Sequence, residues 1–186
     1  DLKNEKSREE LLSVNEKSKI WTVSNTFLAT ANAARYCGAS LKFCDIESQT
    51  LNIDMNTVTQ SLEIAKKNND LPDVIVAVHF AGSSCDMTTL YNLSKEYHFK
   101  IIEDASHAIG GKYLGRYIGD CSFSDACIFS FHPVKIITSG EGGAVTTNNK
   151  ELYQKLLHLR SHGIRKNTEE VINKKNGLTN NKRNIW

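Results

Sequence analysis

The sequence of 186 residues is long enough for one domain with a sizeable hydrophobic core. Hydrophobic residues make up 40% of it and charged residues 24%, and a net charge of +2 is too small to indicate nucleic acid or a membrane as the main partner. Its five cysteines form no C-x-x-C pair, which argues against a disulfide framework or a zinc ribbon and favours reduced thiols in a cytoplasmic protein.

The first half of the chain alternates between helical and strand patterns. The predicted elements are a helix over 7–14, a strand over 20–23, a helix that begins near Phe27, a strand over 41–44 and an amphipathic helix over 56–67. Gly38 is expected to end the second helix, because glycine adopts the left-handed cap conformation at little cost. Small side chains in that helix suit close packing against a sheet. They are Thr30, Ala31, Ala33 and Ala34.

The second half continues this alternation. The predicted elements are a strand over 73–78, a helix over 87–97, strands over 99–102, 127–131 and 144–147, and a helix over 151–160. Asp86 is in position to cap the helix over 87–97. Strands that alternate with helices predict an α/β fold in three layers, with a mostly parallel sheet covered by helices on both faces.

Polar clusters follow three of the predicted strands, and active sites in parallel sheets lie beyond the carboxyl ends of the strands. One cluster begins at His79, a second runs from Glu103 to His107, and a third runs from Ser130 to Lys135. Burying such groups is costly unless they are paired or functional. These clusters are therefore the candidates for a functional site.

Each of these residues, taken alone, also has an ordinary structural interpretation. Lys135 lies in an apolar stretch over 134–137, where a partly dry pocket would favour its nucleophilic amine. Lysines are nevertheless more often surface residues with the stem on an apolar face. Asp104 could hold a cationic ring nitrogen, although capping a helix is the commoner role. His107 could contact a ligand or be a core histidine with its hydrogen bonds satisfied.

Five motifs in a consistent order give a more specific signal than any single residue. They are N-T-F-L-A-T-A-N-A-A-R-Y-C-G-A leading to F-C-D-I, then V-H-F-A-G-S-S-C-D-M, E-D-A-S-H-A-I-G-G, S-F-H-P-V-K-I-I-T-S-G-E-G-G and L-R-S-H-G-I. Over about 20–164, this series resembles the DegT/DnrJ/EryC1/StrS family of sugar aminotransferases. Within that family it is most similar to the transaminases of the pseudaminic acid pathway, which make a UDP-4-amino-4,6-dideoxy-sugar.

The resemblance implies a cofactor, pyridoxal 5'-phosphate (PLP), and roles for particular residues. Family members move an amino group from an amino acid, usually L-glutamate, to a nucleotide-linked keto-sugar. Lys135 matches the catalytic lysine that holds PLP as a Schiff base. The other cofactor-binding positions are matched by Asp104 at the pyridine nitrogen, His107 at the ring and its 3-hydroxyl, Ser130 at the phosphate and Phe27 stacked over the ring. No role follows for His79 or His132, and no metal ligand is implied.

Family members are considerably longer than this chain, so the resemblance implies an incomplete large domain of the aspartate aminotransferase (type I) fold. We expect a helix and polar link over 1–19, the partial PLP-binding domain over 20–165, and a polar tail over 166–186 that leads toward a missing C-terminal region. The polar start over 1–6 shows no sign of a signal peptide. The family also implies a homodimer, while the small net charge argues against nucleic acid or a membrane as the main partner.

Three other functions stay open at this point. A PLP-dependent sugar dehydratase is one, although known members of that group carry histidine where this chain has Lys135. A truncated, non-catalytic module would keep the fold and bind PLP weakly or not at all. A metal hydrolase could use His79, Asp104 and His107, but their spacing is not typical of a zinc site.

Overall fold

A mixed β-sheet lies at the centre of the described part of the chain. The computed structural model describes residues 14–162 and the backbone of two short strands near the end of the chain. The strands are β1 Lys19–Val23, β2 Ser40–Cys44, β3 Val74–Val78, β4 Lys100–Asp104, β5 Lys112–Tyr113, β6 Arg116–Tyr117, β7 Ala126–Ser130, β8 Gly143–Thr146, β9 Leu178–Thr179 and β10 Lys182–Arg183. The helices are α1 Leu28–Tyr36, α2 Met55–Lys67, α3 Met87–Tyr97 and α4 Lys150–Arg160.

Six of these strands form the central sheet, in the order β2-β1-β3-β4-β7-β8. Neighbouring strands run parallel except β8, which is antiparallel to β7. The mostly parallel sheet predicted from the alternation of strands and helices is therefore confirmed. Because β1, β3, β4 and β7 point the same way, their carboxyl ends lie at one edge, with Val78 opposite Asp104 and Asp104 opposite Ile128.

Helices cover both faces of the sheet, which confirms the predicted three layers. All five residues of β3 are buried, as expected for a β-branched strand in the middle of a parallel sheet. Ile75 packs in a cluster with Leu62 of α2 and Leu90 of α3. Val76, its neighbour in β3, packs in a separate cluster with Ala34 of α1. Since successive strand residues point to opposite faces, α1 lies on one face and α2 and α3 lie on the other.

The helix ends follow the predicted capping chemistry. Asp86 accepts a hydrogen bond from the backbone N–H of Thr89 at 3.1 Å, and so caps α3 as predicted. Gly38 follows the end of α1 with a φ of +77°, in the left-handed region that favours glycine. Asp54 caps α2 through the N–H of Asn56. The helix predicted over 7–14 reaches into the residues that the structure does not describe, and this prediction lies outside its scope.

Three details of the sheet and its helices differ from the predictions. The fourth strand extends to Asp104 and does not end at residue 102, because Asp104 stays in register with Val78 and Ile128. Ala33 is exposed, and only Ala31 and Ala34 of the predicted small set are buried against the sheet. The short hairpin of β5 and β6 was not predicted, since two-residue strands carry too little periodicity to detect.

The chain divides into two units, 1–148 and 149–186. The first contains the central sheet with α1, α2 and α3, and the second contains α4 and the antiparallel pair β9–β10. The predicted boundaries after 19 and 165 stay predictions. Within the described residues, no helix is both long and apolar enough to cross a bilayer.

All five cysteines are free thiols, as predicted from their number and spacing. Cys37 is exposed, and the other four are buried. Burial raises the pKa of the Cys44 thiol to about 11 and that of Cys85 to about 12. The buried thiols therefore stay protonated at neutral pH and act as small packing groups.

Leu62 and Ile64 provide a matched test of how α2 packs. Leu62 is 0% exposed within the main core, whereas Ile64, two residues away, is 60% exposed. We expect Leu62→Ala to lower the free energy of unfolding by about 2–5 kcal/mol, because it leaves a cavity. Ile64→Ala should change it by less than about 0.5 kcal/mol. Urea unfolding followed by circular dichroism measures both, and equal losses would contradict the assigned inward face of α2.

Candidate active site

Asp104 ends β4 at the edge where the parallel strands terminate. Its Oδ1 accepts hydrogen bonds from the Ser106 hydroxyl at 2.7 Å and the Ser106 N–H at 3.2 Å. Its Oδ2 accepts a hydrogen bond from the Thr30 hydroxyl of α1 at 2.7 Å. The side chain is only partly buried, so a carboxylate held on both oxygens still faces solvent.

Lys135 lies in the turn after β7, and its Nζ is 3.1 Å from Nε2 of His107. When Lys135 is an ammonium group, it donates this hydrogen bond and Nε2 accepts it. The lysine is half-buried and its backbone N–H donates to the carbonyl of His132. The apolar residues beside it are not buried: Val134, Ile136 and Ile137 are all exposed. The partly dry pocket predicted for this lysine is thus not formed by the described residues.

Ser130 and Phe27 lie at the same edge of the sheet as Asp104. Ser130 is the last residue of β7, two residues beyond the partner of Asp104 in that strand. Its Oγ accepts a hydrogen bond of 3.4 Å from the N–H of His132. Phe27 directly precedes α1 and is 75% exposed, with its ring available to a flat ligand.

The five predicted site residues therefore follow or end strands at the same carboxyl edge, where two hydrogen bonds join pairs of segments. The hydrogen bond between Lys135 and His107 joins the turn after β7 to the segment after β4. The hydrogen bond between Thr30 and Asp104 joins the start of α1, which begins after Phe27, to the end of β4. The strand edge thus combines an amine, an imidazole, a carboxylate, a hydroxyl and an aromatic ring.

His79 occupies a different environment from the other polar residues of the motifs. It is fully buried, with Nε2 at 2.8 Å from Oε2 of Glu103 and Nδ1 accepting from the N–H of Cys85 at 3.1 Å. Since Nδ1 accepts, the ring is neutral and Nε2 donates to the glutamate. The hydroxyl of Ser124 donates to the other oxygen of Glu103. With both ring nitrogens bonded, His79 is not free to join Asp104 and His107 in a metal site.

Two residues of the site were missed by the sequence analysis. Thr30 was interpreted only as a small packing residue, and Ser106 was given no role. The signal for Ser106 is local, because a serine two residues after an aspartate forms the turn-like contact seen here. Thr30 lies 74 residues from Asp104 in the chain, and no pattern in one sequence joins the two.

A separate cleft among the described residues is lined mainly by the segments that follow β2 and β3. It has a volume of about 660 Å³, and its lining includes Asn52, Asp54, Asp86 and Tyr113. None of the five predicted site residues contributes to it. Two of its polar residues make structural hydrogen bonds. Asp86 caps α3 and accepts a hydrogen bond from the Tyr113 hydroxyl. Asn52 forms hydrogen bonds with the backbone of the segment after β3. We therefore assign the candidate site to the strand edge.

Comparison with known proteins matches the chain to a family of aminotransferases. The model of the DegT/DnrJ/EryC1/StrS aminotransferase family matches residues 9–184. A UDP-4-amino-4,6-dideoxy-N-acetyl-beta-L-altrosamine transaminase from Campylobacter jejuni is 47% identical over 153 residues, which are 82% of this chain and 39% of that protein. The chain thus spans about two fifths of the length of this relative.

Solved structures of aminotransferases have the same fold. PseC from Helicobacter pylori, an aminotransferase involved in the biosynthesis of pseudaminic acid, is 34% identical with a TM-score of 0.73 over 85% of this chain and 42% of its own. NtdA from Bacillus subtilis, solved with bound cofactor PMP, is 28% identical with a TM-score of 0.73 over 95% of this chain and 36% of its own. The predicted type I fold, incomplete relative to these proteins, is confirmed.

The backbone of Gly82 lies close to that of His107 in the candidate site, and Gly115 offers a control. Both have left-handed backbones, with φ of +86° and +80°. A Cβ on Gly82 would lie 2.8 Å from the carbonyl oxygen of His107, whereas one on Gly115 meets no described atom within 4 Å. Both alanine variants should lose about 1 kcal/mol of unfolding free energy from backbone strain. Gly82→Ala should lose a further 1–3 kcal/mol or so from the close contact.

Urea unfolding of the two variants separates these effects. A larger loss for Gly82→Ala than for Gly115→Ala supports the close approach of the segment after β3 to His107. Equal losses would show that the backbone near His107 yields without cost, and would contradict the tight support described here.

Proposed function

This chain belongs to the DegT/DnrJ/EryC1/StrS aminotransferase family, and from this premise we propose that its protein transfers an amino group with the help of PLP. The amino acceptor is a nucleotide-linked keto-deoxy-sugar and the donor is an amino acid, L-glutamate in the first instance. The product serves the synthesis of bacterial surface glycans. The names of the Campylobacter and Helicobacter relatives support this substrate class.

One observation carries the proposal more than any other. The amine of Lys135 approaches His107 to 3.1 Å, and His107 is only three residues beyond the carboxylate of Asp104. An amine that contacts an imidazole, with a hydrogen-bonded carboxylate three residues earlier at the carboxyl edge of a parallel sheet, suits a pyridine aldehyde.

The residues present fit PLP by the chemistry of their side chains. When bound, PLP supplies a carbonyl that reacts with amines and a conjugated ring that accepts electrons from the substrate carbon. Asp104 offers a carboxylate whose orientation is already fixed by Thr30 and Ser106, which suits a protonated ring nitrogen. Phe27 offers an exposed flat ring for stacking, and Ser130 offers a hydroxyl donor for a phosphate oxygen.

Lys135 is the catalytic residue of the proposal. Its Nζ would hold PLP, and its free amine would carry a proton to or from the substrate carbon. His107 holds Nζ in place through the hydrogen bond between Nζ and Nε2. The two residues therefore position and move the proton at Nζ.

We propose a homodimer in the cytoplasm as the working state. The exposed apolar side chains of Val134, Ile136 and Ile137, next to the catalytic lysine, support a further protein surface over this side of the site. Free thiols support a reducing compartment. The substrates are small molecules, and neither nucleic acid nor a membrane is a partner.

A sugar dehydratase and a non-catalytic module are the alternatives. Lys135 in place of histidine counts against the dehydratase, since an amine at this position enables amino transfer. A non-catalytic module would have no reason to keep the amine, the imidazole and the fixed carboxylate together at one edge. These observations favour the transaminase.

Chemical trapping tests the role of Lys135 directly. After incubation of the protein that carries this chain with PLP, borohydride reduction should attach the cofactor to Lys135, because the reduced bond no longer exchanges. Mass spectrometry of the peptides identifies the labelled residue. Lys135→Ala should lose the label and the visible absorbance of the bound cofactor, whereas Lys112→Ala, an exposed lysine on β5, should keep both.

The amino donor separates the transaminase from its alternatives. Addition of L-glutamate without a sugar should convert the bound cofactor to its amine form and release 2-oxoglutarate. A dehydratase would leave the cofactor unchanged, and a non-catalytic module would show neither labelling nor conversion. Label on a lysine other than Lys135 would overturn the site assignment.

A further inference from the structure

The hydroxyl of Thr30 makes an unusual contact for a threonine in a helix. Helical threonines commonly bond the backbone carbonyl four residues earlier, as Thr59 of α2 does with Met55 at 2.7 Å. Thr30 instead lies 2.7 Å from Oδ2 of Asp104, on a different element, and 2.9 Å from the hydroxyl of Thr26. All three side chains are partly buried, so water competes with these bonds less than at an open surface.

The directions of these hydrogen bonds follow from the number of protons. A threonine hydroxyl has one proton and two acceptor lone pairs. The carboxylate of Asp104 can only accept, so the single proton of Thr30 lies on the bond to Oδ2. The contact between Thr26 and Thr30 then requires Thr26 as the donor. The chain of bonds runs in one direction, from Thr26 through Thr30 to Asp104.

Counting lone pairs shows which oxygen of Asp104 can take a ligand. A carboxylate has about four lone-pair sites, two on each oxygen. Ser106 fills both sites on Oδ1 with its N–H and its hydroxyl. Thr30 fills one site on Oδ2, and no other donor among the described residues contacts this oxygen. One acceptor site is therefore left, and it lies on Oδ2.

We propose that Thr30 is a positioning residue that fixes Oδ2 of Asp104 as the oxygen facing the protonated ring nitrogen of the cofactor. Ser106 holds Oδ1 and Thr30 holds Oδ2, so the carboxylate does not rotate about its Cβ–Cγ bond without breaking hydrogen bonds. Thr26 orients the Thr30 hydroxyl. This inference rests on the proposed function, because it presupposes a cofactor with a ring nitrogen.

The position of Thr30 in the chain gives its contact a second consequence. Thr30 is the third residue of α1, and its backbone N–H donates to the carbonyl of Phe27 at 3.1 Å. The bond to Asp104 thus ties the first turn of α1, with Phe27 at its start, to the end of β4. The Thr30 hydroxyl thus fixes the orientation of the Asp104 carboxylate and the position of the segment that carries Phe27.

The test measures the affinity of the cofactor rather than activity. In the protein that carries this chain, Thr30→Val removes the hydroxyl with little change in shape, and Thr30→Ser keeps it. Thr59→Val removes a helical threonine hydroxyl that bonds only its own backbone, and serves as the control. Each variant is titrated with PLP and with a PLP analogue in which carbon replaces the ring nitrogen, and unfolding without cofactor is measured in parallel.

The analogue distinguishes positioning from a general structural role. Thr30→Val should weaken PLP binding by about tenfold, since a hydrogen bond to a charged group is lost, and should leave analogue binding nearly unchanged. Thr30→Ser and Thr59→Val should bind PLP as the unchanged protein does. Equal weakening for PLP and the analogue would mean that Thr30 only maintains the fold, and unchanged PLP affinity in Thr30→Val would overturn the inference outright.

Two further outcomes are covered by the same design. If Thr30→Val does not fold, Thr26→Val should still weaken PLP binding more than analogue binding. In that variant Thr30 keeps its hydroxyl but no longer accepts the hydrogen bond from Thr26 that orients it. Equal effects on both ligands there would refute the inference. If the unchanged protein binds neither PLP nor the analogue, the proposed function fails and this inference fails with it, which differs from a failure confined to the variants.

Discussion

The register of β4 between β3 and β7 determines where the functional groups of this protein lie. Asp104 pairs with Val78 on one side and Ile128 on the other, so its side chain emerges where β3 and β4 end beside β7. A shift of β4 by one residue would exchange the two faces of the strand and turn the Asp104 side chain away from α1. The contacts of Asp104 with Thr30 and Ser106, and the approach of Lys135 to His107, all depend on this register.

Glu103 and Asp104 are consecutive acidic residues of β4 whose side chains point to opposite faces of the sheet. Glu103 points into the interior, where His79 and Ser124 donate to its two oxygens. Burying a carboxylate costs free energy unless it is paired in this way. Both oxygens of Glu103 are therefore occupied by hydrogen bonds that hold neighbouring segments together. Asp104 points to the opposite face, stays partly open and keeps one acceptor site. The buried pair provides stability at the strand ends, and the open carboxylate is available to the proposed cofactor.

Much of this arrangement was predictable because local patterns encode it. The β-branched run of β3, the Asp86 cap and the glycine after α1 each depend on neighbouring residues only, and all three were predicted. The antiparallel direction of β8 was not predicted, because strand direction depends on a connection whose path one sequence does not reveal. The link from Thr30 to Asp104 was missed for a similar reason: it joins residues 74 positions apart through the folded sheet. The extension of β4 to Asp104 was missed because its last two residues are acidic, and the hydrophobic pattern used for the prediction stops before them.

The candidate site has one side fixed by hydrogen bonds and one side lined by exposed apolar groups. On the fixed side, hydrogen bonds join Asp104 to Thr30 and to Ser106. Val134 and Ile136, on either side of the lysine in the chain, are exposed, and so is Phe27 before α1. Attraction between Asp104 and a ring cation is weak in water and grows as the local dielectric falls, and the amine of a lysine becomes more nucleophilic as water is removed. The fixed side therefore sets the geometry, whereas the strength of the proposed chemistry depends on how far water is excluded from the apolar side.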